Sequence, residues 1–502
     1  MSLVRSGTLA AASLMLCAGC NPAIFPGLVG GAVTGTGGVT SGGLFANGAF
    51  SENLIQARTF TDGVSVNTLT YEAGDVDRTP LGVDFNLDGK IDPVVGYGGD
   101  TAVIQILLSN GPVGQVSFVS LSLDSKRDMK DLADVAVGDI DGDGYLDIVA
   151  GADSAIWYFR HPATGDTANL PEWGNPDPAD ELRERVAASA EGLSEDELQA
   201  LIFQALGPGV NLDDYVVTIE QIYSNVEIGD MNNDGSNDIA ASRSFTVNLE
   251  PRPSSPVQPL QILDGDVIVF LNPGRARDGL DWTSVSAGRH ERQLRLDRDG
   301  ANGLLLADLD QDGDLDMVSA ARRDNNAQVA WFENPGAPLD PNTPWVQWRL
   351  GSVRDAWGLD IADITGDGRL DVVATGGDQQ QLLLFEQPVS GPKRNFDWDT
   401  HVLVTFESFL PRDVRALDVD NDGVLELVVG ATTGALRYFE PPADPRDAWI
   451  PAIVASFTAD GEIGWLGYGD LDADNDLDLV CVLNAENEND ERIVWVRNDL
   501  PN

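Results

Sequence analysis

Apolar residues along this chain come in short runs separated by polar turns, and the same order of runs keeps returning. A run such as Val135-Ala136-Val137 or Leu304-Leu305-Leu306 leads into an aspartate-rich loop. A second run follows, as in Leu146-Asp147-Ile148-Val149-Ala150 and Leu370-Asp371-Val372-Val373-Ala374. A third ends in aromatics, as in Ile156-Trp157-Tyr158-Phe159, Val329-Ala330-Trp331-Phe332 and Leu436-Arg437-Tyr438-Phe439. A fourth starts near a tryptophan, as in Trp345-Val346-Gln347-Trp348 and Trp398-Asp399-Thr400-His401-Val402-Leu403. These runs are too short for helices and too regular for irregular loops, so each unit predicts four short strands. Four strands per repeat is the pattern of a propeller blade.

The aspartate-rich loop occurs seven times. It reads D-F-N-L-D-G-K-I-D from Asp84, D-I-D-G-D-G-Y-L-D from Asp139 and D-M-N-N-D-G-S-N-D from Asp230. From Asp308 it is D-L-D-Q-D-G-D-L-D, from Asp363 D-I-T-G-D-G-R-L-D, from Asp418 D-V-D-N-D-G-V-L-E, and from Asp470 D-L-D-A-D-N-D-L-D. Successive starts lie 55, 91, 78, 55, 55 and 52 residues apart. A period of about 55 with two insertions predicts an all-β, seven-bladed propeller over residues 56–502. Only two strands follow the last loop, Leu477–Leu483 and Arg492–Val496. An N-terminal strand is therefore expected to close the last blade, with Val64–Tyr71 as donor, so that no sheet edge is left unpaired.

The loops, with the aromatic-x-Asn-Pro ending of the third run (Trp331-Phe332-Glu333-Asn334-Pro335), resemble FG-GAP/VCBS repeats. Those repeats form the blades of the integrin α-subunit propeller and of many bacterial surface proteins. The resemblance covers nearly all of residues 56–502. It implies a ligand on the face opposite the aspartate loops.

The loop chemistry points to calcium, a hard cation that takes six to eight oxygens. As in an EF-hand, positions one, three and five offer side chains and position seven a carbonyl; here the closing acid moves to position nine, which suits a β-hairpin. The expected ligands are Asp84, Asn86, Asp88 and Asp92; Asp139, Asp141, Asp143 and Asp147; Asp230, Asn232, Asp234 and Asp238. They continue with Asp308, Asp310, Asp312 and Asp316; Asp363, Thr365, Asp367 and Asp371; Asp418, Asp420, Asp422 and Glu426; and Asp470, Asp472, Asp474 and Asp478. Position six needs a sharply reversing backbone. It is Gly in six loops and Asn475 in the seventh, the residues most tolerant of positive φ. Up to seven structural Ca²⁺ ions are expected. Magnesium fits less well because it demands a strict octahedron and holds its waters.

Charge then narrows the partners. With 81 Asp+Glu against 31 Lys+Arg, the formal charge is −50, which argues against nucleic acid. The three cysteines allow no disulfide in the body, because Cys17 and Cys20 are N-terminal and only Cys481 remains. Residues 1–20 read as an export signal: Arg5 precedes an apolar stretch too short to stay as a membrane span. Leu16-Cys17-Ala18-Gly19-Cys20 resembles a bacterial lipobox, which implies acylation of Cys20, with ordinary signal cleavage as the alternative. Asn21 resembles outer-membrane sorting. Residues 21–55, rich in glycine, read as a flexible tether. The expected location is therefore the outer membrane or cell surface through a lipid anchor, or else a secreted or periplasmic form.

Two insertions and a basic patch complete the reading. Residues 165–212 are expected as a helical insertion between strands three and four of blade two, with a capping box at Ser194 and Glu197 and an apolar stripe at Leu198, Leu201, Ile202, Ala205 and Leu206. Residues 243–261 are expected as a Pro-rich loop between strands two and three of blade three. Basic residues including Arg243, Arg252, Arg289, Arg292, Arg322, Arg323 and Arg354 fall on the expected ligand face, with Arg289, Arg292, Arg322 and Arg323 as its candidate contacts for a protein or acidic polysaccharide. Of three histidines, His161 and His401 hold repeat positions, and no nucleophile motif accompanies His290. The expected function is a non-catalytic, calcium-stabilised adhesion or scaffold module. The alternative is a carbohydrate-active enzyme, similar to polysaccharide lyases, on a calcium propeller.

Overall fold

The computed structural model describes residues 50–57, 63–99, 102–112, 116–124, 129–152, 155–161, 183–187, 199, 202–203, 210–253, 255, 257–274, 282–290, 301–321, 327–341, 343, 345–393, 397–407, 409–456, 462–484 and 492–498. They form seven four-stranded antiparallel sheets. From inner to outer strand, blade one is Gly63–Asn67, Val94–Tyr97, Val103–Asn110 and Ser117–Asp124; blade two is Asp134–Gly138, Asp147–Ala152, Ala155–Phe159 and Arg183–Ala187. Blade three is Tyr215–Gly229, Asp238–Pro251, Leu260–Leu271 and Thr283–Arg289; blade four is Ala301–Ala307, Asp316–Ala321, Ala327–Glu333 and Val346–Val353. Blade five is Ala356–Ala362, Asp371–Gly376, Gln381–Glu386 and Asp399–Thr405; blade six is Pro411–Leu417, Glu426–Ala431, Ala435–Glu440 and Ile450–Ser456. Blade seven is Glu462–Gly469, Asp478–Asn484, Arg492–Asn498 and Phe50–Ala57.

Each blade is sandwiched between two others, so its middle strands bury both faces. Asp147–Ala152, Asp316–Ala321, Asp371–Gly376 and Glu426–Ala431 are buried at every position, which is why they read as continuous runs and not as alternation. The core lies between sheets. Trp331 of blade four packs with Leu359, Phe385 and Trp398 of blade five, and aromatics at the end of the third strand fill such gaps around the ring (Tyr158, Phe332, Phe439). Inner strands approach closely at the axis. A Cβ on Gly358 would lie 2.7 Å from Arg412 O and 2.8 Å from Val414 N of blade six, so no side chain fits there.

Several expectations need correction. The strand that pairs with Arg492–Asn498 is Phe50–Ala57, from Phe50↔Asn498 to Ala57↔Arg492. It is not Val64–Tyr71: blade one needs an inner strand ahead of its own loop, and Gly63–Asn67 supplies it. Leu69–Thr70 instead pair with Leu81–Gly82 in a small hairpin. The glycine-rich stretch thus gives way to strand at Phe50, inside the expected tether.

The range 165–212 is not a helical insertion in the described residues. Arg183–Ala187 within it is the outer strand of blade two, and among its described residues Gln199, Ile202 and Phe203 have α-helical backbone and Leu212 opens a 3-10 turn. Ser194, Glu197 and Leu198 lie outside the described residues. Ile202 follows the outer strand, which places it at the face opposite the aspartate loops and not beside them. Residues 243–261 are not a loop either. The second strand of blade three runs on to Pro251 and the third begins at Leu260. Val247 and Leu249 alternate into a satellite core with Ile202, Tyr215 and Ile262, and that burial drives the extension. Arg243 is no surface residue: its guanidinium donates to both oxygens of Asp266, at 2.9 and 2.6 Å, inside the sheet.

Among the described residues, two cavities lie along the axis. The larger, about 890 Å³, opens among the aspartate loops and is lined by Tyr71, Arg78, Glu227, Asp360, Arg415 and Tyr468 among others. The smaller, about 150 Å³, lies toward the other face beside Trp357, Arg412 and Trp465. Arg78 reaches across the larger one, donating to Ile228 O at 2.6 Å and Glu227 at 3.1 Å and covering the Tyr71 ring at 3.6 Å. Among the described residues no helix is long and apolar enough to cross a membrane.

Candidate metal centres

Every aspartate loop joins the inner and second strands of a blade, so all seven share one rim. Position one organises each turn. In the Asp308 loop its Oδ1 accepts the N–H of Asp312 at 3.0 Å and its Oδ2 that of Gly313 at 2.9 Å. The Asp418 and Asp470 loops repeat this through Asp422 and Gly423, and through Asp474 and Asn475. Position five in turn accepts the N–H of position seven, as Asp422 does from Val424 at 2.8 Å. Position six is left-handed in every loop, from φ 82° at Gly368 to 92° at Gly313, with 70° at Asn475.

The sequence reading missed a second left-handed site at position four: Leu87 (φ 55°), Gly142 (69°), Asn233 (55°), Gln311 (60°), Gly366 (70°), Asn421 (58°) and Ala473 (61°). Two of these are glycines and two asparagines, a faint signal that the other three hide.

Position nine is the buried acid. Asp316 Oδ2 accepts the N–H of Leu309 at 3.2 Å, and its Oδ1 that of Asn334 at 2.8 Å. Asp92, Asp147, Asp238, Asp371 and Asp478 likewise take a donor from their own loop and one from the end of the third strand (Ser109, His161, Asn272, Gln387, Asn498). Blade six has Pro441 at that point, which has no N–H; its acid is Glu426, bonded to Val419 at 2.8 Å. Burial, with the neighbouring loop carboxylates adding to it, pushes Asp147, Asp316, Glu426 and Asp478 up to about 8, and Asp92 and Asp238 up to about 7. Without a cation these sites favour a proton.

Positions one, three and nine converge in four loops. In Asp139/Asp141/Asp147, Asp308/Asp310/Asp316, Asp418/Asp420/Glu426 and Asp470/Asp472/Asp478, one oxygen from each acid lies within 4.8 Å of the others. Position five is not part of these triads. In the other three loops position three is Asn86, Asn232 or Thr365, so positions one and nine alone supply acids to such a triad. The donor set fits a hard cation: Asp310 Oδ1 and Asp472 Oδ1 are buried oxygens that accept no hydrogen bond, a costly arrangement unless an ion satisfies them. Two further acids, Asp314 and Asp476, occupy position seven; the sequence reading had assigned that position a carbonyl alone.

The staple between blades was visible in sequence, though its role was not. Asn334 Nδ2 donates to Met231 O of the preceding blade's loop and to Leu315 O of its own, both at 2.9 Å. Asn272, Gln387 and Asn498 reach Ile140 O, Leu309 O and Val419 O in the same way.

The remaining candidates are placed as follows. His161 is buried and stacks on Tyr145, with centroids 4.8 Å apart; His290 contacts Ser319 at 3.1 Å inside blade four; His401 meets Glu386 at 2.9 Å. Arg289 ends the outer strand of blade three, opposite Asp266. Arg292, Arg322, Arg323 and Cys20 lie outside the described residues, and Cys481 is buried.

Comparison with known proteins gives three findings. A model of the FG-GAP-like repeat matches residues 84–150 and 308–374. No curated protein matches the chain. Among solved structures, BBS1N in complex with ARL6DN, soaked with mercury, aligns at 9% identity with a TM-score of 0.45, over 90% of this chain and 97% of that one. The Dos1 propeller aligns at 8% identity with a TM-score of 0.42, over 89% and 95%.

Proposed function

Starting from FG-GAP-like repeats set in a seven-bladed propeller, we propose that this protein is a calcium-stabilised, non-catalytic binding or scaffold module held at the bacterial envelope through an acylated Cys20. The observation that carries the reading is the convergence of three acids in each of four hairpins on one rim. Ions held there neutralise carboxylates that otherwise repel or take up protons. At ten times its dissociation constant, each ion would add about 1.4 kcal/mol. Four together would rival the lower end of a typical domain's stability. The rim is thus structural, and the opposite face, with the extended hairpin of blade three, is left to meet a protein or polysaccharide. Burial of His161 and the enclosure of His290 beside Ser319 favour this over the lyase-like alternative.

The decisive measurement is calorimetric melting of the full chain in millimolar calcium and in EGTA. A fall of about 10 °C in chelator is expected. An unchanged melt, with no metal retained after gel filtration, would sink the reading. Anchoring is checked separately by incorporation of a labelled fatty acid, expected in the natural chain and lost in Cys20→Ser.

A further inference from the structure

The loops carry their own cations. Arg160 Nε lies 3.3 Å from Asp141 Oδ2, Lys393 Nζ 2.6 Å from Asp310 Oδ2, and Arg497 Nε 2.9 Å from Asp472 Oδ2. Each contacts the position-three acid of a converging triad, although one follows a third strand, one comes from the next blade and one lies within a third strand. In the Asp84 and Asp363 loops the base sits at position seven and pairs with position five: Lys90 with Asp88 at 3.3 Å, and Arg369 with Asp367. Among the described residues the Asp418 loop is the one converging triad with no Lys or Arg on any of its acids.

We infer that these five basic side chains are internal counter-ions that grade the loops, making the Asp418 hairpin the tightest calcium site and the Asp84 and Asp363 hairpins the weakest. The inference rests on the calcium reading above and adds to it an order of filling. A cation resting on a liganding carboxylate must be moved aside, or tolerated at close range, when a divalent ion enters. Asp141 and Asp472 are fully buried as side chains, so solvent screens this repulsion little. In the Asp84 and Asp363 loops position three is neutral and position five is already paired, so the least negative charge awaits an ion. The bases have a second effect. When calcium is scarce they hold together carboxylates that would otherwise repel.

The two effects have opposite signs, which separates them from simple packing. Calcium titration of the full chain by calorimetry, with terbium luminescence as a second probe, should show a tight step that Asp420→Asn removes. Lys393→Gln and Arg497→Gln should each tighten one weaker site about tenfold, while lowering the melting temperature in EGTA. Lys393→Arg should behave as the natural protein. Lys393 is partly exposed, so its replacement leaves the core intact. Affinities unchanged or weakened in both Gln variants, or a tight step that survives Asp420→Asn, would overturn the grading alone. A natural chain that binds no calcium would overturn the functional reading beneath it.

Discussion

At the scale of single residues, the loops are held by a few side chains whose roles differ in how plainly sequence shows them. Position six was legible because only Gly and Asn occur there, and a left-handed backbone excludes nearly everything else. Position four adopts the same region in every loop, yet Leu87, Gln311 and Ala473 give no shared mark, since the turn forces them there at some cost. Ala473→Gly should therefore raise unfolding free energy by about 0.5–1 kcal/mol in urea titrations, relieving a residue at φ 61°. Asn334 was visible as a repeat signature, but the hydrogen bonds its side-chain amide donates to two carbonyls could be seen only once the blades were adjacent. Asn334→Ala leaves Met231 O and Leu315 O without those donors. A loss of about 2–3 kcal/mol is expected from the same titrations.

At the scale of elements, the second and third strands outside blade three were readable because burial on both faces enforces apolar runs bounded by fixed loops. Outer strands were less uniform: the tryptophan-led runs of blades four and five were legible and form Val346–Val353 and Asp399–Thr405, but that of blade two was not. Arg183–Ala187 is an edge, and edges tolerate charge, so Arg183-Glu184-Arg185 looked like part of an insertion. Blade three misled for the opposite reason. Its prolines suggested a loop, while Val247 and Leu249 alternate with polar neighbours as a half-buried strand does. The satellite core they form stands clear of the rim of aspartate loops. Leu249→Ala should cost about 2–3 kcal/mol locally, seen as faster amide exchange across Tyr215–Gln221 with little change in calcium affinity.

At the scale of the whole molecule, the axis concentrates acids that repeat counting could not locate, since they lie on inner strands outside the loop motif. Asp134 Oδ1 accepts from Ser65 of blade one and its Oδ2 from Val226 of blade three; Asp413 Oδ2 accepts from Leu466, and Asp360 Oδ2 from Ala416. Each thereby ties the inner strands of neighbouring blades. Burial pushes Asp134 and Asp360 up to about 6 and Glu227 up to about 7. Because these values lie above those of the unfolded chain, the folded state binds their protons more tightly. Their contribution is complete below about pH 4 and is lost as pH rises through 6 to 7. In EGTA the urea midpoint should thus be higher at pH 5.5 than at pH 8, and Glu227→Gln should flatten the slope between pH 6 and 8. The pairing of Phe50 with Asn498 has a mechanical consequence as well. Asn498 bonds Val419 O of an aspartate loop, so Phe50 enters the ring at the rim of aspartate loops. A pull on the segment upstream of Phe50 runs along the strand axis and loads its rungs in shear, all at once, instead of peeling them one by one.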